Sequence, residues 1–162
     1  MSESPRQLAS KVLSDPVNFL AFGFGSGLFP KAPGTVGTLV AFPIAWLTRD
    51  LSLAWQAGVA VALVLSGIWL CGESARRIGV HDHGGIVWDE IAAMYIVLIF
   101  APLTITGWAL AFVAFRFFDI VKPWPIRDLD HRIEGGLGIM LDDLVAALYA
   151  LILIGFYGWL MN

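Results

Sequence analysis

Two pairs of adjacent acids, Asp89-Glu90 and Asp142-Asp143, hold the strongest chemical signal in this chain. Each pair stands directly before a long uncharged run, residues 91–115 and 144–161. Both pairs are therefore expected at helix starts. Adjacent helical residues point about 100° apart, so at least one acid of each pair faces a bundle or its mouth. Capping of the helix dipole is the plain alternative. Like charges brought together need a counter-ion, and oxygen-only clusters suit Mg²⁺ or Mn²⁺. A third block, residues 115–127, spaces Arg116, Asp119 and Lys122 three apart, near one helix face. Cations beside carboxylates suit a phosphate group. A structural salt bridge with a snorkelling Lys122 is the alternative. The pattern predicts a metal-dependent phosphate site, against a structural polar layer or an ion pathway.

Glycine-rich segments accompany the acids. Residues 24–38 include Gly25-Ser26-Gly27, Lys31 and Thr35, and residues 135–138 repeat the loop-to-helix pattern. Glycine permits close backbone approach and positive φ, and free amides ahead of a helix can take an anion. Thr35 is placed to cap the next helix. A loop that merely needs turn residues reads the same way. Other chemistries fit worse. Cys71 lies in an apolar run with no Cys-x5-Arg loop, and no nucleotide P-loop sequence is present.

The elements that must position these residues are apolar. Of 162 residues, 58% are hydrophobic and 14% charged, against about a quarter charged in a soluble domain. That excludes disorder and predicts a membrane protein. A net charge of −3 with no long basic run argues against nucleic acid. One cysteine excludes an internal disulfide. Residues 1–18 are polar and lack the apolar core of a secretory signal.

Residues 51–71 and 144–161 have the length of membrane spans. Residues 91–115 are broken by Pro102 and the Thr104–Thr106–Gly107 cluster, which predicts two short helices with a tight bend. Residues 36–48, with Pro43, read as a tilted span, a re-entrant segment or a buried helix. With five segments, Arg6, Lys11, Lys31, Arg76, Arg77, Arg116, Lys122, Arg127 and Arg132 share one side, and Arg49 alone takes the other. The first side is cytoplasmic by the positive-inside rule, which puts the N-terminus inside and the C-terminus outside. The expected fold is all-α: one domain over residues 1–162, a compact membrane bundle of about four to five transmembrane or re-entrant helices. Its Gly/Pro-rich and acidic loops lie on the cytoplasmic side.

Four ordered blocks give the chain a resemblance: GFGSGLFPKAPGTVGT at 23–38, GVHDHGGIVWDE at 79–90, FRFFDIVKPWPIR at 115–127 and GGLGIMLDDLVA at 135–146. The chain closely resembles the phosphatidylglycerophosphatase A family of bacterial inner-membrane lipid phosphatases. The resemblance implies Mg²⁺-dependent hydrolysis of phosphatidylglycerophosphate to phosphatidylglycerol and inorganic phosphate, at the cytoplasmic face. The chain departs at Thr38, where Ser is usual, and at Ala93 and Ala147, where Gly is usual.

Phosphomonoester hydrolysis needs charge neutralisation, a positioned nucleophile and a stabilised leaving group. Asp89, Asp142 and Asp143 are expected to hold one or two Mg²⁺ ions, with Asp82, Glu90 or Asp119 completing the set. Lys122, Arg116 and Lys31 are expected on the phosphate oxygens, with Gly25, Ser26, Gly27, Thr35 and the amides around Gly34–Gly37 sharing that task. His81 is the candidate proton shuttle. Attack by water and attack by a carboxylate both stay open. The rival readings are an alcohol phosphotransferase, for which the preceding motif elements are missing, and a small transporter, for which no internal repeat is seen.

Overall fold

The computed structural model describes residues 5–80, 83–126, 133 and 135–160. These residues form eight α-helices and no strand: α1 (Pro5–Ser14), α2 (Pro16–Ala21), α3 (Pro33–Leu39), α4 (Ala41–Thr48), α5 (Leu53–Ile78), α6 (Trp88–Phe100), α7 (Ile105–Val121) and α8 (Gly135–Leu160). The long helices α5 and α8 have 26 residues each, about 39 Å at 1.5 Å per residue. Both are long and apolar enough to cross a membrane.

The centre belongs to the short helix α6. Ile91, Ala92, Ala93, Met94, Tyr95 and Val97 are fully buried on it, as a helix apolar all round must be. It packs against α3, α4, α5, α7 and α8. The bend after it follows the sequence. Pro102 stands in the connection, and Thr104 caps α7 by accepting from the Gly107 amide at 2.9 Å. Residues 36–48 fall in α3 and α4, both packed on α6.

The outer surface is apolar. Only 17% of the apolar stretch of α5 is buried inside the protein. Trp55, Leu65 and Trp69 on α5 point outward, as do Val113 and Phe117 on α7 and Ile152 and Phe156 on α8. An apolar exterior of this extent suits lipid better than water. At one end of the bundle Asp15 caps α2 and pairs with Arg77 near the end of α5, at 2.7 Å. The hydrogen bond from Arg77 holds the Asp15 carboxyl below its ordinary value.

Two local expectations are overturned. Asp142 and Asp143 are not at a helix start, because α8 begins at Gly135. Gly136 and Gly138 are helical and serve close packing: a Cβ on Gly136 would overlap the Ile68 carbonyl of α5. The acids therefore sit about 11–12 Å inside the helix. Thr35 does not cap α3 either. The helix starts at Pro33, with Ala32 at the cap position and no side-chain cap bond.

Candidate functional site

Three helices bring one carboxylate each to a common point. Glu90 comes from the first turn of α6, Asp119 from the last turn of α7 and Asp143 from the third turn of α8. One oxygen of each lies within 4.8 Å of the others. Asp89 and Asp142 join them electrostatically, since the charges of Asp119, Asp89, Asp142 and Glu90 all act on Asp143. Asp89, Asp119, Asp142 and Asp143 are buried.

Two cations serve these five acids. Arg116 Nη1 donates to Glu90 Oε1 at 2.7 Å, pairs with Asp119 one turn away, and reaches Thr38 Oγ1 at 3.3 Å. Lys122 Nζ donates to Asp142 Oδ2 at 2.6 Å. Lys122 ends α7 in the left-handed region, φ 44°, which costs a non-glycine residue about 1 kcal/mol. That backbone turn accompanies a lysine side chain directed at α8 instead of continuing the helix.

The donor set fits a hard cation. Glu90 Oε2 and Asp143 Oδ2 are buried and make no hydrogen bond among the described residues. Burying carboxylate oxygens without a partner is costly. The converging ligands are all oxygen, the preference of Mg²⁺, Ca²⁺ and Mn²⁺. The cluster can hold a divalent ion.

The grouping differs from the sequence reading, which put Asp89, Asp142 and Asp143 first. The three converging acids are Glu90, Asp119 and Asp143. Arg116 and Lys122 lie among the acids, as expected. Lys31 is exposed ahead of α3, and Thr35 is half-buried within it. The amides of Gly25 and Gly27 both donate to the Phe22 carbonyl, at 3.0 and 2.9 Å, and that of Ser26 donates to Gly23 at 3.2 Å. Those amides are spent within their own turn. His81 and Asp82 lie outside the described residues. His83 Nδ1 accepts from the Gly85 amide at 3.1 Å, a loop-shaping role.

The glycines of the first block dock it onto the start of α6. A Cβ on Gly27 would overlap the Gly85 carbonyl, one on Gly37 the Val87 side chain, and one on Gly34 the Glu90 carboxylate. Sequence reasoning missed Thr38 as a site residue, and it read Gly34 as an amide donor to phosphate where its missing side chain makes room for Glu90. Thr38 Oγ1 donates to the Gly34 carbonyl at 2.8 Å and accepts from Arg116. The available signal was a small hydroxyl residue, Thr or the family's Ser, at this position. Gly34→Ala is expected to push Glu90 out of place. Turnover should fall about 10²-fold, the effect of misplacing a reacting group by 1 Å, and the melting temperature should fall too, because the buried Glu90–Arg116 pair is disturbed. Parallel kinetics and thermal scans check this.

A family model described as Phosphatidylglycerophosphatase A matches residues 19–157. The phosphatidylglycerophosphatase A of Escherichia coli (strain K12) is 44% identical over 147 residues, covering 90% of this chain and 86% of the relative. That of Haemophilus influenzae is 45% identical over 149 residues, covering 88% of each. A Bacteroides thetaiotaomicron relative, provisionally named a phosphatidylinositol-3-phosphatase, is 36% identical over 149 residues, 86% of this chain and 92% of its own. No solved structure matches the chain. All four blocks around the acidic cluster lie within or overlap the matched span, and with identity sustained over nine-tenths of its length the chain belongs to the phosphatidylglycerophosphatase A family.

Proposed function

We propose that this chain hydrolyses phosphatidylglycerophosphate to phosphatidylglycerol and inorganic phosphate, with Mg²⁺, at the cytoplasmic face of the bacterial inner membrane. The observation that carries this reading is the convergence of Glu90, Asp119 and Asp143 from three helices, with Arg116 and Lys122 placed among the acids. An anionic substrate at a net acidic site needs added positive charge, which a divalent ion provides. The two curated phosphatidylglycerophosphatases supply the substrate class.

Glu90, Asp119 and Asp143 would hold the ion, with Asp89 and Asp142 close enough to complete or orient the set. The chemistry a bound Mg²⁺ supplies is neutralisation of phosphoryl oxygens and activation of a water. The chain's own residues do the rest. Lys122 binds a phosphoryl oxygen by exchanging Asp142 for the substrate, and Arg116 presents its guanidinium from beside Glu90 and Asp119. Thr38 accepts a further hydrogen bond from the same Nη1. Burial of the acids keeps bulk water from screening these charges. His81 and Asp82, which precede α6 in the sequence, are the candidates for proton transfer to the leaving alkoxide.

The bundle then crosses the membrane with about four to five spanning or re-entrant helices as a single domain. The basic residues support this orientation. Counted with five segments, every Lys and Arg except Arg49 is assigned to the side that carries the acidic pairs.

Phosphate release from phosphatidylglycerophosphate in detergent micelles tests the reading. Release is expected with Mg²⁺ and should cease with a chelator. No release by folded protein with Mg²⁺ would remove the phosphatase reading. Lys122→Ala is expected to raise KM about tenfold, in line with a lost charge-assisted bond of 1.5–3 kcal/mol, and to lower kcat less. Unchanged kcat and KM would leave Lys122 a structural partner of Asp142.

A further inference from the structure

We propose that the groove between α7 and α8 holds an acyl chain of the lipid substrate. The inference rests on the phosphatase reading and adds a specificity site to it. The groove has a volume of about 500 Å³ and is lined by Gly107, Leu110 and Ala114 on α7 and by Leu153, Ile154 and Gly158 on α8.

Its continuity with the acidic site names the occupant. Helices α7 and α8 run antiparallel and pack together. The Lys122–Asp142 ion pair stands at the top of their seam. Next comes the Phe118–Tyr149 pair, ring centroids 5.3 Å apart. Tyr149 is held there by donating to the Trp124 carbonyl at 3.1 Å. Directly below, the seam opens at Ala114 and Leu153 and stays open to Gly107 and Gly158. Successive residues on each helix face lie three to four apart, so all these positions share one stripe. Measured along α7 from Lys122, the groove begins about 12 Å away and ends about 22 Å away.

That offset fits the substrate. In phosphatidylglycerophosphate a glycerol–phosphate–glycerol unit separates the terminal phosphate from the acyl esters. With the terminal phosphate at Lys122, a chain enters the seam below the aromatic pair, where the walls become apolar. Hydroxyls return only at the far end, at Thr104, Thr106 and Tyr157. Small residues on both walls, Gly107, Ala114 and Gly158, provide the space.

Gly158→Leu fills the far half of the groove, because a Cβ there meets nothing within 4 Å. A six-carbon chain is too short to reach it, whereas a sixteen-carbon chain is not. The kcat/KM ratio of dihexanoyl to dipalmitoyl substrate is expected to rise at least about fivefold, the lower end of overpacking effects. Gly58→Leu, in equally open space on the outer face of α5, is the control and leaves the ratio unchanged. A second readout needs no turnover. A non-hydrolysable phosphonate analogue of phosphatidylglycerophosphate carrying a terminal acyl diazirine, with Mg²⁺ present, should crosslink to residues 107–114 and 153–158. The unlabelled analogue should compete, and phosphatidylcholine should not.

An unchanged ratio in Gly158→Leu overturns the proposal. So does a shift in oligomeric size with an unchanged ratio, which assigns the groove to a second copy. Equal competition by phosphatidylcholine makes it a site for bulk lipid and also overturns the proposal. If the unsubstituted protein hydrolyses neither substrate, the phosphatase reading fails, and the crosslink alone decides the groove.

Discussion

Asp143→Asn is expected to lower kcat by about 10³-fold or more while leaving the cation-free protein as stable as the parent, or more so. The two effects have one cause. Asp143 is 3% exposed, and the charges of four other acids act on it. Its Oδ2 makes no hydrogen bond among the described residues. Without a divalent ion, its charge is a liability to the fold, because desolvation and like-charge repulsion both oppose it. Asparagine keeps the shape and removes the charge. With substrate present the same carboxylate is needed for the ion. Losing one element of preorganised charge stabilisation costs about 10²–10³ in kcat, and loss of the ion adds to this. Melting temperature, followed in detergent with chelator and then with Mg²⁺, separates the terms. Mg²⁺ should raise it in the parent by binding the folded state and should raise it far less in Asp143→Asn. A large drop in cation-free stability with normal turnover would make Asp143 a structural acceptor and move the ion elsewhere.

The residue types of this site are legible in the sequence, but their grouping is not. Two adjacent-acid pairs, with Arg116 and Lys122 at helical spacing from Asp119, already point to a cation and a phosphate. Both acids of each pair are largely buried, and which of them converges with Asp119 depends on the rotation of α6 and α8 about their axes, which tertiary packing sets. The packing selects Glu90 with Asp119 and Asp143. The bend between α6 and α7 is readable because its causes are local: Pro102 and the Thr104 cap. The start of α8 is hidden because Gly135, Gly136 and Gly138 read as chain breakers. In three dimensions, Gly136 lets α8 approach the Ile68 carbonyl closely. The first glycine block misleads in the same way. Its amides suggest an anion cradle, but the glycines let the block sit flush against Gly85, Val87 and Glu90. Close approach and anion binding both call for glycine, so composition alone does not separate them.

Arg116→Met is expected to have the opposite signature to Asp143→Asn, with both stability and activity lost and only stability recovered by Mg²⁺. The Arg116 side chain is 13% exposed and joins Glu90, Asp119 and Thr38. Methionine fills much of the same volume without charge. It leaves Glu90 and Asp119 buried against each other with no counter-charge, and breaking a buried pair in this way costs about 3–5 kcal/mol. A divalent ion among Glu90, Asp119 and Asp143 supplies the missing positive charge, so Mg²⁺ should recover much of the melting temperature. Turnover should stay low, because the ion does not replace a donor to the phosphoryl oxygens. Arg116→Lys keeps the charge but is shorter than the arginine whose Nη1 meets all three partners, so it should fall between the parent and Arg116→Met in stability. If cation-free Arg116→Met melts with the parent, the acids do not depend on this guanidinium, and Arg116 acts on the substrate alone. If Mg²⁺ fails to stabilise Arg116→Met while still stabilising the parent, the guanidinium itself organises the ion's ligands, and the cluster is a single unit of cation, arginine and acids.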